Sequence, residues 1–235
     1  MKKTLIMISL CALLVGCTKD WGNPTTRNYP ITGAFTELDV SDAFQVTVSD
    51  EVTDVVVTVD DLAHDKVVVK VVNGELHIGF KPNTWYNGTK AVAVIPATAN
   101  LRSVDLSGAS SFTGNLNGHE VDIDLSGASH FHGSVDAEEI DVDLSGASKV
   151  VMNGFCQEKM DIDLSGASSL EASLLETPSV VGSMSGASTA DVTVCSNLNV
   201  SLSGASTLIY GLVSPDCNPY INCPCTGSST VRPRR

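Results

Sequence analysis

Aromatic side chains make up only 5% of the 235 residues. A core short of rings has to be filled by Val, Leu, Ile and Ala, which suits thin, regular layers rather than a bulky globular interior. Basic residues are scarce too: 14 Lys and Arg against 27 Asp and Glu, a net charge of -13. That balance excludes a protein that tracks nucleic acid through a basic groove. Charged residues are sparse at 17%, while 43% of the chain is hydrophobic, so a disordered chain is excluded as well. The apolar run Leu5 to Gly16 has twelve residues, short of the roughly twenty that cross a bilayer as a helix.

That run, preceded by Lys2 and Lys3, reads as a signal peptide over residues 1–16. It ends in Leu14-Val15-Gly16-Cys17, which resembles a bacterial lipobox with Cys17 as the lipidated residue. Cleavage before Cys17 leaves 12 basic and 27 acidic groups, a net of -15. Acyl chains on Cys17 are expected to hold the protein to a membrane, at about 0.8 kcal/mol per buried methylene. Thr18 in place of Asp looks unlike an inner-membrane retention signal, and Lys19-Asp20 matches a surface-export tag only in part. The expectation is an exported outer-membrane lipoprotein, in either the periplasmic or the surface-exposed leaflet. Residues 17–30, with two prolines and no apolar period, read as a flexible tether.

A repeat dominates residues 106–206. Leu-Ser-Gly-Ala-Ser occurs at 106–110, 125–129, 144–148, 164–168 and 202–206, with Met184-Ser185-Gly186-Ala187-Ser188 as a sixth copy. Between copies the chain alternates, as in Val121-Asp122-Ile123-Asp124-Leu125, the period of a strand with one buried face. Antiparallel hairpins would put identical motifs at opposite ends of neighbouring strands, where nothing rewards their identity. In a coil every copy stacks on the last at about 4.8 Å. The fold class is therefore all-β: a single-stranded right-handed parallel β-helix with turns of about 19–20 residues. Its expected interior columns are Ile123, Val142, Ile162 and Val200, then Leu106, Leu125, Leu144, Leu164, Met184 and Leu202. Each turn is expected to hold about three short strands. The Gly-Ala pair is expected to make the corner, with Ala pointing inward.

Residues 31–100 are less periodic. Strands are expected at 45–48, 54–59, 67–72, 75–80 and 91–95, with one helical turn at 61–66 and a hairpin at Asn73-Gly74. Asp42 stands where the repeat has its corner glycine. The strand pair around Phe44, the Asn73-Gly74 hairpin, the run Ala91 to Pro96, the Leu-Ser-Gly-Ala-Ser array and the ending Thr226-Gly227-Ser228-Ser229 together resemble the auto-transporter adhesin, head GIN domain family. The resemblance implies a β-helical domain over 31–232. Its expected parts are an irregular N-terminal β section (31–100), a regular coil (101–206) and a closing turn with a Cys- and Pro-rich insertion (207–232). It also implies an exported, adhesin-like protein.

Six copies of a serine motif do not make a nucleophile, which needs one base and one oxyanion hole in one place. A structural role bonding corner backbone groups from turn to turn is expected. Stacking places Asp105, Asp124, Asp143 and Asp163 in one outward column and Asp122, Asp141 and Asp161 in a second. This is a candidate solvated face, weak cation face or docking face for a basic partner; a flat ladder would bind Ca2+ no better than millimolar. Trp85 and Tyr86 are candidates for stacking on a ligand, or for covering the coil's end. Among the cysteines left after Cys17, Cys156 and Cys195 lie about two turns apart, too far to bridge, and Cys217, Cys223 and Cys225 are expected to make one disulfide that staples the last loop. No catalytic residue, metal site or cofactor is expected. The reading is a non-catalytic, lipid-anchored envelope or surface module with a glycan or protein ligand. The alternatives are a carbohydrate-active β-helix enzyme, a polysaccharide lyase or hydrolase, and a purely structural envelope protein. No oligomeric state follows from the sequence.

Overall fold

A computed structural model describes residues 21–88, 90–97 and 100–234; the expected signal peptide, residues 1–16, and the expected lipidation site Cys17 lie outside them. Seven strands precede the regular coil: β1 (Pro24–Tyr29), β2 (Glu37–Val40), β3 (Phe44–Ser49), β4 (Val55–Asp60), β5 (Val67–Val72), β6 (Glu75–Phe80) and β7 (Ala91–Pro96), with a 3-10 turn at Asp61–Lys66. The coil follows as β8 (Ser103–Leu106), β9 (Ser111–Thr113), β10 (Leu116–Leu125), β11 (His130–Leu144), β12 (Lys149–Leu164), β13 (Ser169–Met184), β14 (Thr189–Leu202) and β15 (Thr207–Leu212), closed by β16 (Tyr220–Ile221) and β17 (Thr230–Pro233). Pairing from β8 to β17 is parallel throughout. The architecture is a β-helix of about seven turns at roughly 20-residue spacing.

Each mid-coil turn is one long strand closed by one tight corner, not three short strands. Bulges bend it, at Ala137/Glu139 between β11 and β12 and at Ala172/Glu176 between β13 and β14. These extra residues account for motif spacings that wander from 19 while the columns stay in step. Leu106, Leu125, Leu144, Leu164, Met184 and Leu202 are Cα partners in succession. Ile123, Val142 and Ile162 stack likewise and reach Val200 through Gly182. All of these apolar residues are buried.

At the corners, the seven glycines from Gly108 to Gly227 hold φ of 69–74°. A Cβ on Gly146 would come 2.4 Å from Gly127 O on the previous turn, so both the left-handed backbone and the close stacking require glycine. Ala147 N–H donates to Gly127 O at 2.7 Å. The alanine does not point inward as the sequence suggested: Ala109, Ala128 and Ala147 are exposed and the serine that follows each is buried. At three corners that serine bonds within its own corner: Ser129 Oγ to Ser126 O at 2.8 Å, Ser148 Oγ to Ser145 O at 2.6 Å and Ser206 Oγ to Ser203 O at 2.6 Å. Hydroxyl bonds from turn to turn are made by Ser188 Oγ to Ser206 Oγ at 3.4 Å and by the first serine of the motif, as in Ser165 Oγ to Leu144 O at 3.3 Å. A buried hydroxyl ordinarily finds an acceptor, and the carbonyl three residues back supplies it at these three corners; the buried Ser110 and Ser168 hydroxyls have no partner among the described residues.

The N-terminal section does not simply precede the coil. Strand β2 lies between β6 and β8, and β3 between β7 and β9. The chain thus enters at the second layer, loops out to build the end layer, and returns past its own start. Strands β5 and β4 finish the two open edges by antiparallel pairing with β6 and β7, and β1 covers β4 over six residues. Here the tether reading is corrected. From Trp21, which is buried, the chain is part of the cap. His64, also buried, binds it there: its Nε2 donates to Thr25 O at 3.0 Å and its Nδ1 accepts from the Tyr29 hydroxyl at 2.9 Å.

Candidate functional site

The acidic ladder forms as expected. Asp105, Asp124, Asp143 and Asp163 are Cα partners on successive turns, as are Asp122, Asp141 and Asp161. The first column extends beyond the sequence expectation, through Asp39 to His77. His77 Nδ1 lies 2.7 Å from Asp39 and Nε2 lies 3.1 Å from Glu75, so the imidazole closes the column's end. Beside the aspartates runs a shallow groove of about 470 Å3, walled by Ser126, Ser145 and Ser165 of the corners. Partial burial is the largest cause that raises the pKa of Asp105, Asp122, Asp124, Asp141 and Asp143, and repulsion from neighbouring carboxylates adds to it. Lys159, 3.5 Å from Glu139 and 3.9 Å from Asp161, is a local counter-charge.

Trp85 and Tyr86 part company. They are neighbours in the loop between β6 and β7, and their side chains go separate ways. Tyr86 turns inward. Its ring is 4.8 Å from Phe80 and 5.5 Å from Trp21, and Phe80 in turn is 5.1 Å from Phe44. Its hydroxyl donates to Asp60 Oδ2 at 3.1 Å, and burial raises its pKa. Trp85 turns outward and is 85% exposed. It stands over a cleft of about 560 Å3 whose other walls include Asp42, Asn83, Thr84, Phe80 and the first corner, Gly108-Ala109.

The cleft has a topological cause. Every regular turn closes through Gly-Ala-Ser, and each corner covers the one before it. The column ends at Asp42-Ala43, whose backbone nitrogens lie 3.4 and 3.8 Å from where a Gly108 Cβ would sit. The next layer outward closes through residues 81–90 instead, a longer excursion that leaves the last corner open. Four described non-glycine residues have positive φ: Asp42 (61°), Ala43 (64°), Asn83 (61°) and Asn73 (54°). Asn73 serves the hairpin; the other three line the cleft. Such a conformation costs about 1–2 kcal/mol per residue, and it persists where surroundings enforce it. Asp42 shows the enforcement: its carboxylate accepts from Phe80 N–H at 2.8 Å and from the Ser41 hydroxyl at 3.2 Å. Sequence reasoning found Trp85 and missed Asp42 and Asn83 as its partners. The available signal was Asp42 standing in the glycine's place.

The disulfide differs from expectation. Cys195 pairs with Cys217, Cα atoms 4.7 Å apart, while Cys223, Cys225 and the buried Cys156 are free. The Ser214–Cys225 insertion folds back along the coil wall: the Cys217 end reaches the bend of β14, and Tyr220-Ile221 pairs with Asn197-Leu198. Cys225 instead sits in a bridge to Leu202.

The family model described as "Putative auto-transporter adhesin, head GIN domain" matches residues 34–211. No curated protein matches the chain. Among solved structures, a putative adhesin from Bacteroides fragilis NCTC 9343 superposes with a TM-score of 0.78 at 18% identity, covering 90% of this chain and 97% of that one. A putative adhesin from Parabacteroides distasonis ATCC 8503 gives 0.67 at 21% identity, over 91% and 98%. A putative lipid binding protein from Parabacteroides distasonis ATCC 8503 gives 0.61 at 18% identity, also over 91% and 98%. At these identities the likeness is one of fold.

Proposed function

The chain belongs to the head GIN domain family, and from that premise we propose that it is a non-catalytic, lipid-anchored binding module of the bacterial envelope, adhesin-like in action. The single observation that carries this reading is the open cleft under Trp85. A solenoid whose regular turns are all closed by the same tight corner departs from its pattern at one end, and there it presents an exposed indole beside enforced polar groups. Pockets of this size with a few convergent polar groups are typical small-ligand sites. The titratable lining groups, Asp42 and Tyr86, are both engaged in hydrogen bonds.

An acyl group on Cys17 would make the anchor. With Trp21 seated in the cap, four peptide units separate the two, a reach of about 14 Å at most. The cap end, and with it the cleft, would be held near the bilayer, in the outer membrane by the reading of Thr18. The aspartate ladder serves as a solvated face that keeps the sheet from pairing with other chains. The test is retention of the purified mature protein on isolated envelope polysaccharide and on extracellular matrix. Saturable retention that Trp85→Ala reduces at least tenfold supports the reading. Polysaccharide turnover abolished by one carboxylate substitution would replace it with an enzyme.

A further inference from the structure

We propose that the Trp85 cleft recognises the end of a neutral glycan, one or two pyranose rings stacked on the indole; this rests on the binding-module reading above and names the ligand class. The aromatic face is open on one side chain only. Phe80 is 8% exposed, and the Tyr86 ring is packed between Phe80 and Trp21. A quaternary ammonium needs several open rings converging on it, and the cleft does not offer them. A pyranose needs one flat face: its axial C–H bonds carry the partial positive charge that the negative face of an indole attracts.

The polar groups match the edge of such a ring. The Asn83 amide offers both donors and acceptors, the Thr84 hydroxyl offers either, and Asp42 offers carboxylate acceptors. Adjacent sugar hydroxyls, each at once donor and acceptor, satisfy this mixed set as a purely apolar or purely cationic ligand does not. Charge selects against acidic sugars: Asp42 lies in the wall and the whole chain carries -13. Extent follows from shape. The cleft is bounded along the coil by Gly108-Ala109 and holds about 560 Å3, the scale of a small molecule rather than a running polymer. A chain end is therefore the fitting epitope. Left-handed Asp42, Ala43 and Asn83 hold the edge groups in place before the ligand arrives, which lowers the ordering cost of binding.

The experiment is isothermal titration calorimetry of the full mature chain with cellohexaose, mannohexaose, chitohexaose, polygalacturonate fragments and tetramethylammonium in turn. The expected result is saturable binding of at least one neutral hexamer, weakened tenfold or more by Trp85→Ala, weakened by Asn83→Ala, and largely kept by Trp85→Tyr. Trp85 is exposed, so its replacement leaves the fold intact, as the circular dichroism spectrum should show. Binding of the uronate fragments or of tetramethylammonium in preference to every neutral hexamer overturns the proposal, as does hexamer binding indifferent to Trp85. Retention on envelope material that depends on Trp85, with no neutral hexamer bound, would sink the glycan assignment and leave the binding-module reading standing. No retention at all would sink both.

Discussion

Asp124 and Asp143 are Cα partners on adjacent turns, and partial burial, with repulsion from the carboxylates beside them, raises the pKa of both. Raised pKa values mean that the folded ladder favours proton uptake. Folded-state pKa values raised above the unfolded ones mean that the folded chain binds more protons than the unfolded chain. The stabilisation is present at low pH and is lost as pH rises through the folded pKa values. Thermal melts should therefore show these groups raising Tm as pH falls through their folded pKa values toward the ordinary carboxylate range, opposite to ordinary acid denaturation. Asp124→Asn should raise Tm at pH 7 by a degree or two, since repulsion between such exposed neighbours is worth about 1 kcal/mol at most before salt screening, and it should flatten the pH slope. Calcium titrated by calorimetry should bind no tighter than millimolar to this flat, open surface.

The ladder was legible because a coil converts sequence period directly into spatial columns. Ile123, Val142 and Ile162 needed no structure to be stacked, and the helical turn at Asp61–Lys66 and the hairpin at Asn73-Gly74 were equally readable. What escaped has physical reasons. Strand β1 has no apolar period, because β4 and His64 hold it through backbone and polar contacts rather than a buried face. The insertion of β2 between β6 and β8 is a fact of chain order in space that no local pattern encodes. The bend that carries Cys195 toward Cys217 falls where β13 and β14 slip register between Ala172 and Ser179, so counting turns could not find the pair. At the site, Trp85 was visible as an aromatic in a loop, whereas Asp42 becomes its neighbour only through the path of the chain in space.

Removing residues 18–30 separates a tether from a structural strand. A chain starting at Ile31 exposes the edge of β4, which β1 covers. We expect a lower Tm and self-association in sedimentation, since an open, apolar edge recruits other strands. A passive tether would leave both unchanged.

The corner glycines admit a sharp test. Gly146→Ala puts a Cβ 2.4 Å from Gly127 O at φ 69° and should cost at least about 2 kcal/mol in urea unfolding. Ala147→Ser, one residue on and exposed, should stay within about 0.5 kcal/mol of wild type.

The disulfide closes a loop with a sequence separation of 22, so replacing Cys195 and Cys217 together by Ser should cost about 3 kcal/mol. In the native protein, maleimide should modify exposed Cys225 first. Cys223 follows more slowly, because burial raises its thiol pKa. Cys156, buried and with its thiol pKa raised by burial, should react only on unfolding. Mass spectrometry of time points gives the order.

The proposed binding centres on a departure from regularity: one end of a repetitive coil left open under an exposed indole. Its most direct test is a paired binding isotherm of wild type and Trp85→Ala on isolated envelope polysaccharide, with reducing ends assayed in the supernatant. The account predicts saturable wild-type binding, at least a tenfold loss in the variant and no release of reducing ends. Equal binding by the two proteins, or steady release of product, would contradict it.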